Sequence, residues 1–344
     1  MLAAAVGAGA GYYAGVSTLL APSPVPQLTK TVTETVGSTV TVQSTVAANP
    51  FNTPKYNITC VAADLAGEFF IPIVRSAPDC NALFPVNFML TGEASVDMKK
   101  MEDVMAAQIA KKPDGLIVFE VDATMQQLTQ KAQAAGIPVI AFLIDDDLPH
   151  ESGRLAYIGT DQYTAAFGTA RRVVSKIPGK AGDTAVVFTH RPGAPDLEAR
   201  AKGFSDVLTA AGFVVDKQLA GPEADKASEM AEAYMRAHST IVAAFGCDGI
   251  SSPSVGRAID VLGLKDKVLG AGFDLVPRNL EYMQKGTLQA VANQQPYLIL
   301  PVAVMAMYMH LASDKELAPY DANTGKGIID QSNLAKFLKP THWH

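Results

Sequence analysis

Polar side chains recur at the ends of short apolar runs in this sequence. The run "GAGF" is followed by Asp274, and "QAVAN" is followed by Gln294 and Gln295. Carboxylates and amides in such places can hydrogen-bond the polar groups of a ligand. Other polar residues that end or follow an apolar run are Glu120, Asp122, Asp145, Asp146, Asp147, Cys247 and Asp248.

The elements that must position these residues are strands alternating with helices. Runs such as "PVIAFLI", "TAVVFTH" and "TIVAAFG" predict buried strands, and "DLEARAKGFSDVLTAAG" has the three-and-four spacing of a helix. Continuous apolar strands separated by helices indicate parallel sheets covered on both faces, hence an α/β protein. Ligands of such sheets bind beyond the carboxyl ends of the strands, which predicts one shared polar pocket. The alternative for any single Asp is a helix N-cap.

Size and composition favour a globular protein of two lobes. The chain has 344 residues, of which 48% are hydrophobic and 18% charged. A net charge of −6 without a basic block argues against nucleic acid as a partner.

The N-terminal 55 residues differ from the rest. Residues 1–21 carry no charge and are about long enough to cross a bilayer, so we expect a signal or membrane anchor, the alternative being an internal Gly/Ala-rich helix. Residues 22–55 are rich in Pro, Ser, Thr and Val, which is typical of an extended stalk, although the Thr/Val alternation also fits an extra edge strand. The Asn57-Ile58-Thr59 sequon is a weak sign of an extracellular location.

The cysteines leave two alternatives open. Cys60 and Cys80 form a disulfide at one edge of a sheet, or both are buried thiols. Their spacing excludes a CxxC pair.

Motifs of common enzymes do not occur. The sequence contains no GxSxG, HExxH or GxxxxGK[ST] motif. His342 and His344 stand at the C-terminus, where a frayed end is a better explanation than a metal site. We therefore expect a binding protein that is not an enzyme and needs no cofactor or metal.

Several segments together resemble a known family, the periplasmic-type, class I sugar-binding proteins of ABC transporters, of which the ribose-binding protein is the best-known member. The resemblance covers roughly residues 56 to 315. The segments that carry it are "GEFFIPIVRSA", "KPDGLIVFEVDA", "AAGIPVIAFLIDDD", "RLAYIGTDQYTAAFG", "EARAKGFSDVL", "GCDGISSPSVGRAIDVLGL" and, as the most specific, "GAGFDLVPRNLEYMQKGTLQAVANQQPYL".

The resemblance implies two doubly wound parallel-sheet lobes joined by a three-segment hinge that closes on a sugar. We expect an N-terminal lobe of residues 56–160 plus 295–318 and a C-terminal lobe of 161–294 plus 319–344. The chain should cross between them near 159–161, near 294–296 and around 314–320.

The resemblance also implies ligand contacts and partners. Asp274 and Gln294 match hydroxyl-binding residues, Phe69 and Phe70 match an aromatic pair, and Cys247 replaces a sugar-binding Asn, which leaves that role to Asp248. With the strand-end pattern, the expected contacts are Phe69, Phe70, Asp122, Asp145, Asp196, Arg200, Cys247, Asp248, Asp274 and Gln294. Glu198 stands where the ribose-binding protein has a sugar-binding Arg, which makes ribose itself doubtful. A monomer outside the cell membrane that hands a monosaccharide or cyclitol to an ABC permease is expected, the alternative being an extracellular sensor of the same fold that acts through a signalling partner.

Overall fold

The computed structural model describes residues 39–42, 56–95, 97–145, 153–221, 223–313 and 321–338. Within them the chain forms two sheets, each covered by helices, as expected from the alternation of apolar runs and helical patterns. The expected anchor of residues 1–21, most of the stalk and the histidines at the C-terminus lie outside the described residues.

The first sheet has seven strands in the order β1-β3-β2-β4-β5-β6-β12. Every neighbouring pair is parallel except β1 with β3. Its strands are β1 (Thr39–Val42), β2 (Tyr56–Ala62), β3 (Val86–Glu93), β4 (Gly115–Val118), β5 (Val139–Leu143), β6 (Ala156–Gly159) and β12 (Ala322–Asn323). The helices beside it are α1 (Ile71–Leu83), α2 (Met98–Lys111), α3 (Ala123–Ala134) and α9 (Pro296–Ser313).

The second sheet has six strands in the order β13-β11-β10-β9-β7-β8, and only β13 runs antiparallel to its neighbour. Its strands are β7 (Thr184–Thr189), β8 (Val214–Leu219), β9 (Ile241–Gly246), β10 (Leu269–Phe273), β11 (Ala290–Asn293) and β13 (Gly327–Asp330). The helices beside it are α4 (Gln162–Val173), α5 (Pro195–Ala210), α6 (Ala224–Ala237), α7 (Ser251–Val261) and α8 (Pro277–Lys285).

Burial explains which strands the sequence predicts well. All residues of β4, β5 and β10 are buried, so these strands are continuous apolar runs. In contrast, β8 has the sequence "VVDKQL", lies at the edge of its sheet and has no buried residue. Apolar runs therefore do not reveal β8.

Residues 39–42, inside the segment expected to be a stalk, form a strand. The backbone of β1 pairs with β3 in the register Thr39 with Glu93 and Val42 with Leu90. The stalk interpretation is corrected for these four residues, and the alternative of an extra edge strand holds there. The backbone groups on this edge of β3 gain a partner by this pairing.

The chain passes between the sheets three times, and the three crossings are hydrogen-bonded to one another. The first follows Gly159 and the second follows Asn293. The third falls between β12 and β13, after residues 314–320, which lie outside the described residues. Thr324 N–H donates to the Gly159 carbonyl at 2.7 Å, and Gln295 Nε2 donates to the Thr324 carbonyl at 2.6 Å.

In the described chain, α9 is the helix that is long and apolar enough to cross a membrane. Six of its side chains are nevertheless buried in the core of the first sheet, including Leu300, Val304 and Met307. The structure therefore uses α9 as a core helix.

The three cysteines are buried thiols, so the described structure shows the second of the two alternatives for Cys60 and Cys80. The sequon lies in β2, where Asn57 donates from Nδ2 to Asp114 at 3.3 Å and accepts from Asn87 at 3.0 Å. Thr59 is buried, so the folded strand does not present this sequon as an open loop.

Candidate functional site

A cavity of about 510 Å³ lies between the two sheets, within the size range of small-molecule sites. Both lobes line it with residues that follow the carboxyl ends of their strands. Asp64 follows β2 and Phe119 follows β4 on one side, while Asp248 and Asp274 follow β9 and β10 on the other. The strand-end pattern of the sequence thus corresponds to a shared cleft.

Asp274 is buried at the floor of this cleft. Its backbone is left-handed, with φ of 72°, which is uncommon outside glycine and asparagine and is often associated with functional sites. The following helix, α8, begins without a side-chain cap, so Asp274 is not its N-cap. Burial raises the pKa of Asp274, while the Arg200 guanidinium and the hydrogen bond from Gln294 oppose that rise.

Gln294 is the direct neighbour of Asp274. Its Nε2 donates to Asp274 Oδ1 at 2.7 Å, and its Oε1 is buried without a hydrogen-bond partner. Both residues line the cavity. A buried acceptor without a partner costs free energy, and a ligand hydroxyl in the cavity could satisfy it.

Phe69 and Phe70 form an aromatic wall on the first lobe. Their ring centroids are 5.5 Å apart at an interplanar angle of 84°, and Phe70 packs in the same edge-to-face manner on Phe119 at 6.0 Å. Phe70 is buried in the first core, whereas Phe69 is only partly buried. Phe69 therefore offers more ring surface to a ligand, although both residues line the cavity.

Arg200 is a buried cation on α5 that donates two hydrogen bonds to other parts of the second lobe and its hinge. Its Nε donates to Gln162 at 2.8 Å and its Nη1 donates to the Cys247 carbonyl at 2.9 Å. The guanidinium also lies 4.2 Å from the centroid of the Phe273 ring. Asp196, one turn earlier on α5, accepts from Arg191 at 3.3 Å.

Asp248 lines the cavity, but its oxygens are engaged by its own loop and helix. Oδ1 accepts from the N–H groups of Ile250 and Ser251, both at 2.8 Å, and Oδ2 accepts from Ser251 Oγ at 2.9 Å. Asp248 is therefore both a cavity residue and a cap at the start of α7. Burial acts to raise the pKa of Asp248, but the nearby His190 and the backbone N–H groups of Ser251 and Ile250 lower it overall.

Three of the expected ligand contacts, Asp122, Asp145 and Cys247, lie outside the described lining of the cavity. Asp122 is the N-cap of α3 and accepts from the N–H groups of Thr124 and Met125 at 3.0 and 2.9 Å. Its oxygens serve the helix, as the alternative for a lone Asp allowed.

Asp145 and Cys247 are held by other parts of the fold. Asp145 accepts from Arg154 Nε at 2.7 Å, and the same guanidinium donates to Asp321 at 2.9 Å. The thiol of Cys247 is fully buried, and its backbone carbonyl is the group that accepts from Arg200. Asp146 and Asp147 lie outside the described residues.

Two cavity residues that the sequence hypothesis missed are Asp64 and His190. His190 directly follows β7, so the strand-end rule would have found it had it been applied to that strand as well. Asp64 follows β2 after one further apolar residue, and its φ of 59° is not visible in a sequence pattern. Within the described residues, the cavity included, no cluster of three or more His, Cys, Asp or Glu has the geometry of a metal site.

Comparison with known proteins assigns the fold to a family. The model of the "Periplasmic binding protein domain" matches residues 61–316. The chain belongs to this family of binding proteins. The predictions of a binding protein that is not an enzyme, and of two α/β lobes, are thereby confirmed.

A curated relative and solved structures agree with this membership. The chain is 26% identical over 298 residues, 83% of its length and 73% of the relative's, to "Xylose/arabinose-binding protein XylF" of Sulfolobus acidocaldarius. Among solved structures, GanP, a glucose-galactose binding protein from Geobacillus stearothermophilus, has a TM-score of 0.73 at 23% identity and covers 81% of this chain and 98% of its own. A carbohydrate transporter protein from Acidothermus cellulolyticus in complex with myo-inositol has a TM-score of 0.72 at 22% identity, with coverage of 84% and 99%.

Proposed function

We propose that this member of the periplasmic binding protein family is the extracellular solute-binding component of an ABC transporter. It captures a monosaccharide or cyclitol in the cleft between its lobes and hands it to a membrane permease. The observation that carries the proposal is the pair of Asp274 and Gln294, both of which line the cavity. Oε1 of Gln294 is a buried acceptor that has no hydrogen-bond partner. The ligands named for the relatives, which are pentoses, hexoses and myo-inositol, belong to the same chemical class.

The walls of the cavity suit a ring with polar edges and an apolar face. Phe69 on the first lobe can cover the C–H face of a pyranose or cyclitol. Asp274 and Gln294 on the second lobe can accept hydroxyl protons at the ring edge, and charge-assisted hydrogen bonds of this kind are the strong ones. Closure of the hinge would bring the two walls onto opposite sides of one ligand.

The charges of the lining favour neutral ligands over sugar acids. The carboxylates in the lining are Asp64, Glu68, Asp196, Glu223, Asp248 and Asp274, against the guanidinium groups of Arg191, Arg200 and Arg278. Each guanidinium already has one partner, and Nε of Arg191 is a buried donor that has none. Arg191 contacts Asp196, Arg200 contacts Gln162, and Arg278 lies 4.0 Å from Glu68 across the cleft. A ligand carboxylate would enter a site rich in negative charge.

A thermal-shift screen of the purified full-length protein tests this function. The panel contains pentoses, hexoses, inositols and amino sugars, together with uronic acids, an amino acid and a nucleoside. A ligand at about 100 times its dissociation constant adds about 2.7 kcal/mol to the free energy of unfolding, which is a readily measured shift. We expect a neutral polyol to raise the melting temperature and the uronic acids to leave it unchanged. A shift with the amino acid or the nucleoside, and with no polyol, would refute the proposal.

A further inference from the structure

His190 occupies the second-lobe wall of the cleft at a place where neither the family resemblance nor the sequence hypothesis expected a ligand contact. It directly follows β7 and lines the cavity, and its side chain is 23% exposed. Asp64 lines the same cavity from the first lobe. The proton positions on His190 follow from its neighbours.

Asp248 controls one of the two ring nitrogens of His190. Nδ1 of the imidazole is buried and lies 2.9 Å from Asp248 Oδ2. The contact is at hydrogen-bond distance, although it does not meet the full geometric criteria of a hydrogen bond. Because Asp248 is a buried carboxylate whose pKa is lowered, Oδ2 is an acceptor and Nδ1 must carry the proton.

This arrangement leaves Nε2 of His190 as an acceptor. A neutral imidazole has one N–H and one lone-pair nitrogen, and the hydrogen bond made by one nitrogen decides the role of the other. With the proton on Nδ1, the lone pair is on Nε2. Nδ1 is buried against Asp248, whereas the imidazole as a whole is partly exposed. A hydroxyl group of a ligand can donate to Nε2.

Asp64 presents a second acceptor from the facing lobe. Its carboxylate lies over Gly67, where a Cβ would be 2.3 Å from Oδ2, so any other residue at position 67 would displace it. Burial raises the pKa of Asp64, and a positive charge on His190 would lower it, so the two residues lie within electrostatic reach of each other. This end of the cavity therefore offers acceptors from both lobes and calls for a ligand group that donates.

We propose that His190 is a specificity-determining residue whose Nε2 accepts a hydroxyl proton from the bound polyol, and that Asp248 is the positioning residue that holds its tautomer. This inference rests on the proposed function, since it assigns a contact within the same cleft. The contact with His190 favours ligands that carry a hydroxyl donor at one ring position and disfavours analogues that lack that donor.

Calorimetric titration of the full-length protein tests the contact, with the best polyol of the panel and its monodeoxyfluoro analogues as ligands. We expect His190→Ala to weaken binding at least tenfold. Fluorine cannot donate a proton, so one analogue should bind the wild type weakly yet cause no further loss in His190→Ala, as expected for two groups in direct contact. His238→Ala, at an exposed histidine on the surface, is the control and should bind like the wild type.

Asp248→Asn tests the positioning role separately. Oδ1 of Asp248 accepts two backbone N–H groups, so the carbonyl oxygen of the new amide should stay there and its NH₂ group should face His190. The proton of His190 should then move to Nε2, which becomes a donor. We expect ¹⁵N chemical shifts of the imidazole to show the Nδ1–H tautomer in the wild type and the Nε2–H tautomer in the variant, with binding weakened about as much as by His190→Ala.

The outcomes separate this inference from the proposed function. If the wild type binds a polyol while His190→Ala binds it equally well and every fluorinated analogue loses the same affinity in both proteins, the role of His190 is refuted and the proposed function stands. An Nε2–H tautomer in the wild type would refute the positioning role of Asp248. Absence of polyol binding by the wild type would overturn both proposals.

Discussion

Gln294 Nε2 donates to Asp274 Oδ1 at 2.7 Å, which orients the amide so that its oxygen has no partner in the described chain. The two residues come together because β10 and β11 are parallel neighbours, with Phe273 opposite Ala292. Each polar residue therefore follows the end of its own strand on the same edge of the sheet. The pair offers acceptors to the cleft and needs hydroxyl donors to complete it.

The raised pKa of Asp274 predicts that the ligand-free protein loses free energy of unfolding as the pH rises. An acid whose pKa is higher in the folded than in the unfolded chain contributes stability below the unfolded value of about 3.9. That contribution is lost as the pH rises through the pKa that Asp274 has in the folded protein. Asp274→Asn removes the titration, so the gain in free energy of unfolding of this variant over the wild type should be larger at pH 7 than at pH 4.

Urea denaturation of the ligand-free proteins at both pH values measures this difference. Asp103→Asn is the control, because the Asp103 side chain is 68% exposed on α2. A difference between Asp274→Asn and the wild type that is equal at pH 4 and pH 7 would contradict the assignment of a raised pKa to Asp274.

The sequence predicted a shared polar pocket because parallel strands bring their carboxyl ends to one edge of a sheet. Asp274 and Asp248 were found in this way, and both line the cavity. The same rule also selected Asp122, which caps α3. Asp122 and Asp274 follow similar apolar runs, and only the backbone geometry after the strand decides whether the carboxylate turns to the helix or to the cleft.

Other features depend on contacts between distant parts of the chain. The carboxylate of Asp64 lies in the space left by Gly67, with a left-handed backbone that no periodic pattern reveals. Asp145 is engaged by Arg154, whose second partner, Asp321, comes 167 residues later. The edge strand β8 exposes its polar residues to solvent and so lacks the apolar signature of the central strands.

Asp145 should matter for stability and not for ligand affinity. The Arg154 side chain is 6% exposed, and Asp145→Ala would leave one side of its guanidinium without the carboxylate. Asp321 stays beside the guanidinium, so the expected cost is that of lost hydrogen bonds to one charged partner, about 1.5 to 3 kcal/mol. We expect urea denaturation to show a loss of that order, while calorimetry gives the wild-type affinity for the polyol within about twofold.

Asp103→Ala is the matched control, since Asp103 pairs with Lys99 on an exposed helix surface, where such pairs contribute about 0 to 1 kcal/mol. A tenfold loss of affinity in Asp145→Ala with normal stability would instead restore Asp145 as a ligand contact.

The strand β1 should protect the edge of β3 from hydrogen exchange. The double variant Thr41→Pro and Val42→Pro cannot maintain the ladder, because one of two successive residues directs its N–H to β3 and proline lacks that donor. Hydrogen-exchange mass spectrometry should show at least tenfold faster exchange in peptides that cover Val86–Glu93 and no change in Val139–Leu143, a central strand.

Val46→Pro, beyond the end of β1, serves as the control and should leave exchange in β3 unchanged. Equal exchange of β3 in the wild type and the double variant would show that residues 39–42 do not protect this edge.

The buried thiols should be unreactive until the protein unfolds. Burial raises the pKa of Cys80 to about 12 and raises those of Cys60 and Cys247 as well, so little of the reactive thiolate is present. Ellman's reagent at pH 8 should titrate no thiol in the native protein and three in denaturant. One thiol in denaturant, without added reductant, would show instead that Cys60 and Cys80 form a disulfide.

Calorimetric titration of three full-length proteins with the best polyol of the panel tests the role of Asp274 most directly. The proteins are the wild type, Asp274→Ala and Asp122→Ala, which compare two aspartates that both follow parallel strands. Loss of a charge-assisted hydrogen bond should weaken binding by Asp274→Ala about 10- to 100-fold, whereas Asp122→Ala should lose about 1 kcal/mol of stability and keep its affinity. Wild-type affinity in a folded Asp274→Ala, or an equal loss in both variants, would contradict a sugar-binding role for Asp274 in this cleft.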